Sequence, residues 1–148
     1  MPTNLRMRAF ISISTVFIVL FISCKNGNDI EPKNLIGQWR PTYEIFNDST
    51  QKWEVILSYM LLPNIEFTSD GKFLINNRPG SEGDCCGYIG SQYKVENNMV
   101  IFSNFGTPCP NALCLNSTCK GWSIKKLSEE TLEIYQCPNA TYRYTRVK

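Results

Sequence analysis

Residues 92–103, QYKVENNMVIFS, decide the fold class of this chain. Tyr93 and Val95 alternate with polar neighbours, the pair Asn97-Asn98 follows, and a second apolar-rich run extends from Met99 to Ser103. Alternation of apolar and polar residues is typical of a strand with one buried face, and two asparagines between such runs are typical of a tight turn. The segment therefore predicts an antiparallel β-hairpin.

The pattern of this hairpin recurs along the chain from Gly37 onward. Residues typical of turns (Gly, Asn, Asp and Ser) separate short alternating runs, and no long run carries the apolar stripe of a helix. We therefore expect an all-β domain of eight antiparallel strands, at residues 38–46, 64–67, 73–75, 92–96, 99–103, 121–127, 132–136 and 141–147.

One stretch, Trp53 to Leu62, does not fit this pattern. It is rich in apolar residues without clean alternation, and Pro63 would interrupt any ladder of hydrogen bonds that continued from it. Three interpretations remain open: a separate strand, a one-turn helix over one end of a barrel, or the bent first half of the second strand.

The connections between the predicted strands are of two kinds that alternate along the chain. The short ones are the turns at Asp70-Gly71, Asn97-Asn98 and Glu129-Glu130. The others lie around residues 48–53, 78–90, 104–120 and 138–139. Successive connections of an up-and-down meander lie at opposite ends of the sheet. The sequence therefore predicts an up-and-down barrel with one closed, tight-turned end and one loop end.

The cysteines support this arrangement. The chain has seven cysteines and no histidine, which excludes imidazole-based catalysis and histidine-ligated zinc. Beyond Cys24, all of them fall on or beside the connections of the loop end: Cys85, Cys86, Cys109, Cys114, Cys119 and Cys137. An even number in an exported chain predicts three disulfides rather than a metal site, and the pairing stays open.

The N-terminal segment has the pattern of a lipoprotein signal peptide. Arg6 and Arg8 precede an apolar run from Ala9 to Ile22, which is 14 residues long and ends in Ser23-Cys24. A run of this length is short for a membrane span and fits a signal sequence. We expect residues 1–23 to be removed and Cys24 to be lipidated, which anchors the protein in the cell envelope, at the outer membrane.

The segment after Cys24 is polar and contains Gly27 and Pro32, so residues 24–34 are expected to form a tether before a domain that spans residues 35–148. The whole chain has 15 Lys+Arg against 13 Asp+Glu, a formal net charge of +2. Such a balance gives no electrostatic basis for nucleic-acid binding, which needs a dense basic face.

Gly37-Gln38-Trp39, at the start of the first predicted strand, is the Gly-x-Trp that opens lipocalins, and the ordered hairpins follow it. Over residues 35–148 the chain resembles the lipocalin-like lipoproteins of Bacteroidota. The resemblance implies that Trp39 plugs the closed end of the barrel and that a basic residue of the last strand, Arg143 or Arg146, packs over it.

Two functional hypotheses follow. In the first, the barrel holds a small apolar ligand, and the candidate lining residues are Trp39, Tyr43, Ile65, Phe67, Tyr93, Val95, Trp122, Ile124, Tyr142 and Tyr144. In the second, the same residues fill the barrel, and the loop end meets an envelope protein or glycan through Pro79-Gly80, Gly87-Tyr88 and Phe105-Gly106.

Catalysis is the least favoured function. Glu44, Glu66, Asp84 and Glu96 are the acidic residues that could pair as acid and base, but none stands in a recognisable motif. We therefore expect no enzyme activity, no catalytic residues, no metal and no cofactor.

Overall fold

The structure is a computed structural model that describes residues 32–59, 61–114, 121–137 and 140–148. It begins with one turn of 3-10 helix, Lys33–Leu35, and continues with ten strands. The strands are β1 (Gly37–Asn47), β2 (Lys52–Val55), β3 (Ile65–Phe67), β4 (Phe73–Ile75), β5 (Arg78–Pro79), β6 (Gly90–Glu96), β7 (Met99–Phe105), β8 (Trp122–Leu127), β9 (Thr131–Gln136) and β10 (Ala140–Arg146).

Nine of these strands form an antiparallel, nearly closed barrel in the order β5-β4-β3-β1-β10-β9-β8-β7-β6. The remaining strand, β2, pairs with β1. The barrel closes where the backbone N–H of Tyr93 donates to the carbonyl of Gly71 at 2.8 Å, beside a bridge between Lys72 and Gln92. The predicted all-β, up-and-down barrel is therefore confirmed.

The predicted number of eight strands is too low, because β2 and β5 were not counted. The short β5 follows a turn in which Asn76 and Asn77 both have positive φ, at 48° and 64°. Asn97 and Asn98 of the β6–β7 turn adopt the same region, at 50° and 61°. The sequence carried the same Asn-Asn signal at both places, but two residues are too few for alternation to reveal a strand.

The stretch from Trp53 to Leu62 begins as a separate strand. Strand β2 pairs with Glu44–Asn47 of β1, and β3 pairs with Gly37–Trp39 on the same edge of β1, since β10 pairs with the other edge. Among the described residues between β2 and β3 there is no helix, so the one-turn helix is the interpretation that the structure excludes there. No helix among the described residues is long and apolar enough to cross a membrane.

The core is an aromatic cluster inside the barrel. The ring centroid of Phe73 lies 5.0 Å from the centroids of Phe67 and Phe102 and 5.3 Å from that of Trp122. Tyr93 packs edge-on against Phe67, with their centroids 5.0 Å apart. Each such pair adds about 0.5–1.5 kcal/mol beyond the area it buries. The other buried apolar residues are Leu35, Trp39, Ile65, Val100, Leu132, Ile134 and Tyr144.

The closed end is built from the two ends of the domain. Trp39 is fully buried, and its indole Nε1 donates to the carbonyl of Leu35 in the 3-10 turn at 2.9 Å. The guanidinium of Arg146 lies over the Trp39 ring, with Cζ 4.2 Å from the ring centroid. A side chain at Gly37 would place its Cβ 2.5 Å from Nη1 of Arg146, so only glycine leaves room for this contact.

The family resemblance implied that Arg143 or Arg146 packs over Trp39, and in the structure the residue there is Arg146. Lys33 and Asn34, expected at the end of the tether, both belong to the 3-10 turn of the closed end. The predicted signal peptide, Cys24, Cys119 and the corner Pro138-Asn139 lie outside the described residues.

Candidate functional site

A cavity of about 150 Å³ lies inside the barrel at the loop end. Strands β3, β4, β8, β9 and β10 contribute to its wall, together with the connections before β3 and before β6. Its lining residues are Leu62, Pro63, Ile65, Ile75, Ile89, Trp122, Gln136, Tyr142 and Tyr144. The lining is apolar apart from one glutamine and two tyrosines.

A hydrogen bond joins two of the three polar side chains of this cavity. Nε2 of Gln136 donates to the hydroxyl oxygen of Tyr144 at 2.7 Å. Burial raises the pKa of Tyr144 well above its ordinary value, and the hydrogen bond from Gln136 opposes that shift without cancelling it. The Tyr144 phenol is therefore neutral at physiological pH, and its O–H can donate to an acceptor in the cavity.

The structure separates the ten predicted lining residues into three groups. Four of them line the cavity: Ile65, Trp122, Tyr142 and Tyr144. Five others belong to the core or pack against it outside the cavity lining: Trp39, Phe67, Tyr93, Val95 and Ile124. The closed-end part of the barrel is thus filled by side chains, and the free volume is confined to the loop end.

Tyr43 is the exception, because it does not belong to the core. Its φ is 62°, and it lies in an irregularity of β1 between Pro41, which pairs with Tyr144, and Ile45, which pairs with Tyr142. Three residues of β1 there oppose one residue of β10, so simple alternation fails at this point. The Tyr43 hydroxyl accepts a hydrogen bond from the backbone N–H of Leu62 at 3.2 Å.

Sequence reasoning missed five lining residues: Leu62, Pro63, Ile75, Ile89 and Gln136. Ile75 and Gln136 end predicted strands, where alternation could have assigned them a face. The other three stand in connections, where no periodic pattern exists to show which side chains point inward.

Two disulfides join the connections that precede and follow the β6–β7 hairpin. Cys85 bonds to Cys109 and Cys86 bonds to Cys114. The adjacent residues Cys85 and Cys86 therefore fix the connection after β7 at two points. Cys137 is also disulfide-bonded. The predicted disulfide-stapled loop end is thereby supported, with a pairing that the sequence had left open.

The stapled loop also positions part of the cavity wall. The carboxylate of Asp84 accepts hydrogen bonds from the backbone N–H groups of Cys86, at 3.1 Å, and Ile89, at 2.5 Å. Because Ile89 lines the cavity, the disulfides, the Asp84 turn and the cavity wall form one connected unit.

The acidic residues considered for catalysis do not converge on this cavity. Glu44 pairs with Arg143 at 3.1 Å, Glu96 pairs with Lys94 at 2.7 Å, and Asp84 holds the loop backbone. Within the described ranges, no three cysteine or acidic side chains lie together in a way that could hold a metal ion.

Comparison with known proteins returns no matching family model, no matching curated protein and no matching solved structure. The geometry of the cavity and of the barrel surface is therefore the basis for assigning a function.

Proposed function

We propose that this protein is a non-catalytic binding protein that holds one small apolar molecule in the loop-end cavity of its barrel. The observation that carries the proposal is an apolar cavity of about 150 Å³ beside a buried tyrosine hydroxyl. Apolar cavities of about this size can bind a molecule such as benzene. Removing a ligand of that kind from water supplies the binding free energy.

The size of the cavity limits the ligand. Sites for drug-sized molecules have volumes of roughly 300–1,000 Å³, and this cavity is smaller. The aromatic cluster around Phe73 leaves no room for a longer molecule to reach the closed end. The ligand is accordingly a single ring or the end of an aliphatic chain, with at most one acceptor for the Tyr144 hydroxyl.

The proposal also includes a location in the cell envelope. We propose that the chain is a lipocalin-like lipoprotein that a lipid on Cys24 anchors in the outer membrane. Cys24 precedes Pro32 by eight residues. Such a tether spans at most about 28 Å, and it enters the domain at the closed end. The loop end, with its cavity, would then face away from the membrane and toward its ligand.

A second candidate is an interaction module whose loop end contacts an envelope protein or glycan. Exposed apolar residues favour it: Phe105 and Leu113 both lie at the loop end, and Leu113 adjoins the disulfide at Cys114. Exposed apolar side chains near a rigid staple are suited to a partner surface.

The deciding experiment is a titration with toluene, p-cresol and octanoic acid, followed by the indole N–H signal of Trp122 in an NMR spectrum. We expect saturable shifts, and p-cresol should bind more tightly than toluene because its hydroxyl can accept from Tyr144. Ile75→Phe fills the cavity and should weaken binding by about tenfold or more.

The matched control is Leu127→Phe, which adds the same ring to a partly buried residue outside the cavity lining. It should leave probe binding unchanged. If none of the three probes binds saturably, the cavity is not a ligand site and the interaction module becomes the better assignment.

A further inference from the structure

We propose that the outer wall of the barrel carries a second binding site, which takes a neutral saccharide. A groove of about 330 Å³ lies there, twice the size of the interior cavity and within the usual range for small-molecule sites. Its lining residues are Phe46, Asp48, Trp53, Lys125, Glu133 and Thr141. We call this groove the outer trough.

The strand register explains why a trough forms on this wall. Phe46 pairs with Trp53 on one side and with Thr141 on the other, and Thr141 pairs with Tyr135. In the next row, Ile134 is buried and Tyr142 packs against the core, so the Phe46 row, one residue away along each strand, points outward. Thr141 is the short side chain between large rings, and it therefore forms the floor.

One side of the trough is an aromatic wall that is held in place. Phe46 and Trp53 meet edge to face at 5.4 Å, and the guanidinium of Arg143 lies 3.9 Å from the Trp53 centroid. Arg143 is fixed in turn by Glu44 and by Glu133, each at 3.1 Å. A ring that is already immobilised loses little entropy when a ligand stacks on it.

The trough also carries polar groups, on the β8 side and at the β1–β2 turn. Lys125 lies with its ammonium 5.8 Å from the Tyr135 centroid, and Asp48 is an exposed carboxylate at the start of the β1–β2 turn. Together with the Thr141 hydroxyl, these groups offer donors and acceptors along the length of the trough.

The combination selects the ligand class. Arg143 is paired with both Glu44 and Glu133, and Asp48 and Lys125 carry opposite charges, so the trough has no excess of positive charge for an anionic ligand. A purely apolar ligand would leave Asp48 and Lys125 without water or partners, which is costly. A pyranose ring has an apolar C–H face for the aromatic wall and hydroxyls for the polar groups, so it matches both parts of the lining.

The test is an array of neutral and acidic oligosaccharides, followed by NMR titration of the best neutral one. We expect saturable binding that shifts the indole N–H signal of Trp53 and leaves that of Trp39, which is buried and bonded to Leu35, unchanged. Thr141→Tyr fills the floor of the trough and should weaken binding by about tenfold or more. Thr145→Tyr, on the same strand and exposed, should bind as the unmodified protein does.

A pair of surface substitutions, Asp48→Ala with Lys125→Ala, keeps the test decisive if Thr141→Tyr does not fold. It removes two of the polar groups of the trough and should also weaken binding by about tenfold. Absence of saturable binding by every neutral oligosaccharide, equal affinity in the trough variants, or a preference for acidic saccharides overturns the proposal. Ile75→Phe fills only the interior cavity and should leave saccharide binding intact. The proposals for the interior cavity and for the outer trough can therefore be tested independently.

Discussion

The guanidinium of Arg146 stacks on the fully buried ring of Trp39 and also donates to the carbonyl of Ile36 at 2.7 Å, across 110 residues of sequence. A further guanidinium nitrogen donates to the carbonyl of Asn34. One side chain of the last strand therefore holds the first turn of the domain against the closed end of the barrel.

Arg146→Met should destabilise the domain by roughly 1.5–3 kcal/mol, because hydrogen bonds to a charged group are lost and carbonyls are left unpaired. Arg146→Lys should lose nearly as much stability, since an ammonium cannot both stack on Trp39 and donate to two carbonyls as the planar guanidinium does. The free energy of unfolding in urea measures both. The control is Lys148→Met, which removes an exposed ion pair with Glu130 and should change stability by less than about 1 kcal/mol. An Arg146→Met variant as stable as that control would contradict the assigned role.

The disulfide pairing can be read from single substitutions. Cys85→Ser should release one thiol, at Cys109, and Cys86→Ser should release one at Cys114. Alkylation under denaturing conditions, with the modified peptide identified by mass, gives the position. Release of Cys114 in the Cys85→Ser variant would mean that the two bonds are exchanged.

Each of these bonds closes a sequence separation of 24 or 28 residues and should contribute roughly 3 kcal/mol. The Cys85→Ser/Cys109→Ser variant should therefore unfold at lower urea concentration and still show the β-sheet circular dichroism of the barrel, because neither cysteine lies in the core. Loss of the sheet signal would show that the staple is needed for the fold itself.

Tyr144 should make the domain sensitive to alkali. Its pKa is raised in the folded state, chiefly by burial, from a reference value of 10.0. Below that value both states carry a neutral phenol, and above it the unfolded chain loses its proton first, so stability falls as pH rises. Burial and the charge of Asp70 raise the pKa of Tyr93 in the same direction.

The change in unfolding free energy between about pH 8 and about pH 11 should thus be smaller in Tyr144→Phe than in the unmodified protein. Tyr59→Phe, which alters an exposed ring, is the matched control and should follow the unmodified protein. If the unfolding free energy of Tyr144→Phe fell by the same amount as that of the unmodified protein, the pKa of Tyr144 would not be raised by folding.

Partitioning into detergent tests the proposed lipid anchor at Cys24. Two or more acyl chains on Cys24 would give stable membrane attachment, because each buried methylene contributes about 0.8 kcal/mol. The protein should enter a detergent phase, and Cys24→Ala should stay in the aqueous phase. Partitioning of the Cys24→Ala protein into detergent would rule out lipidation as the anchor.

Local pattern was sufficient for the hairpins. The turn at Asn97-Asn98 needs two residues that tolerate positive φ, and alternation on either side of it reports which residues face the core. Both signals act over a few residues, so they can be read without knowing the rest of the molecule. The same signal at Asn76-Asn77 was present and was overlooked because the strand after it is so short.

The candidate site was only partly predictable, for a different reason. Alternation could show that Trp122 and Tyr144 point inward, but it could not show where the interior is filled and where it is empty. That depends on how rings from different strands meet, such as Phe73 with Phe67, Phe102 and Trp122. The irregularity at Tyr43 broke the alternation itself, because two extra residues in β1 are accommodated only opposite β10.

By itself, the sequence determined an all-β meander, its tight-turned and loop ends, and the placement at the loop end of the five cysteines that lie in the described part of the chain. The choice of Arg146 over Arg143 could also have been predicted, because Arg146 lies on the same face of the last strand as Tyr142 and Tyr144. Only the tertiary structure decided that Arg143 stacks on Trp53, that Cys85 bonds to Cys109, and that the free volume lies beside Ile75 and Ile89. These contacts join residues far apart in the chain, and their energies depend on distances that exist only after the barrel has closed.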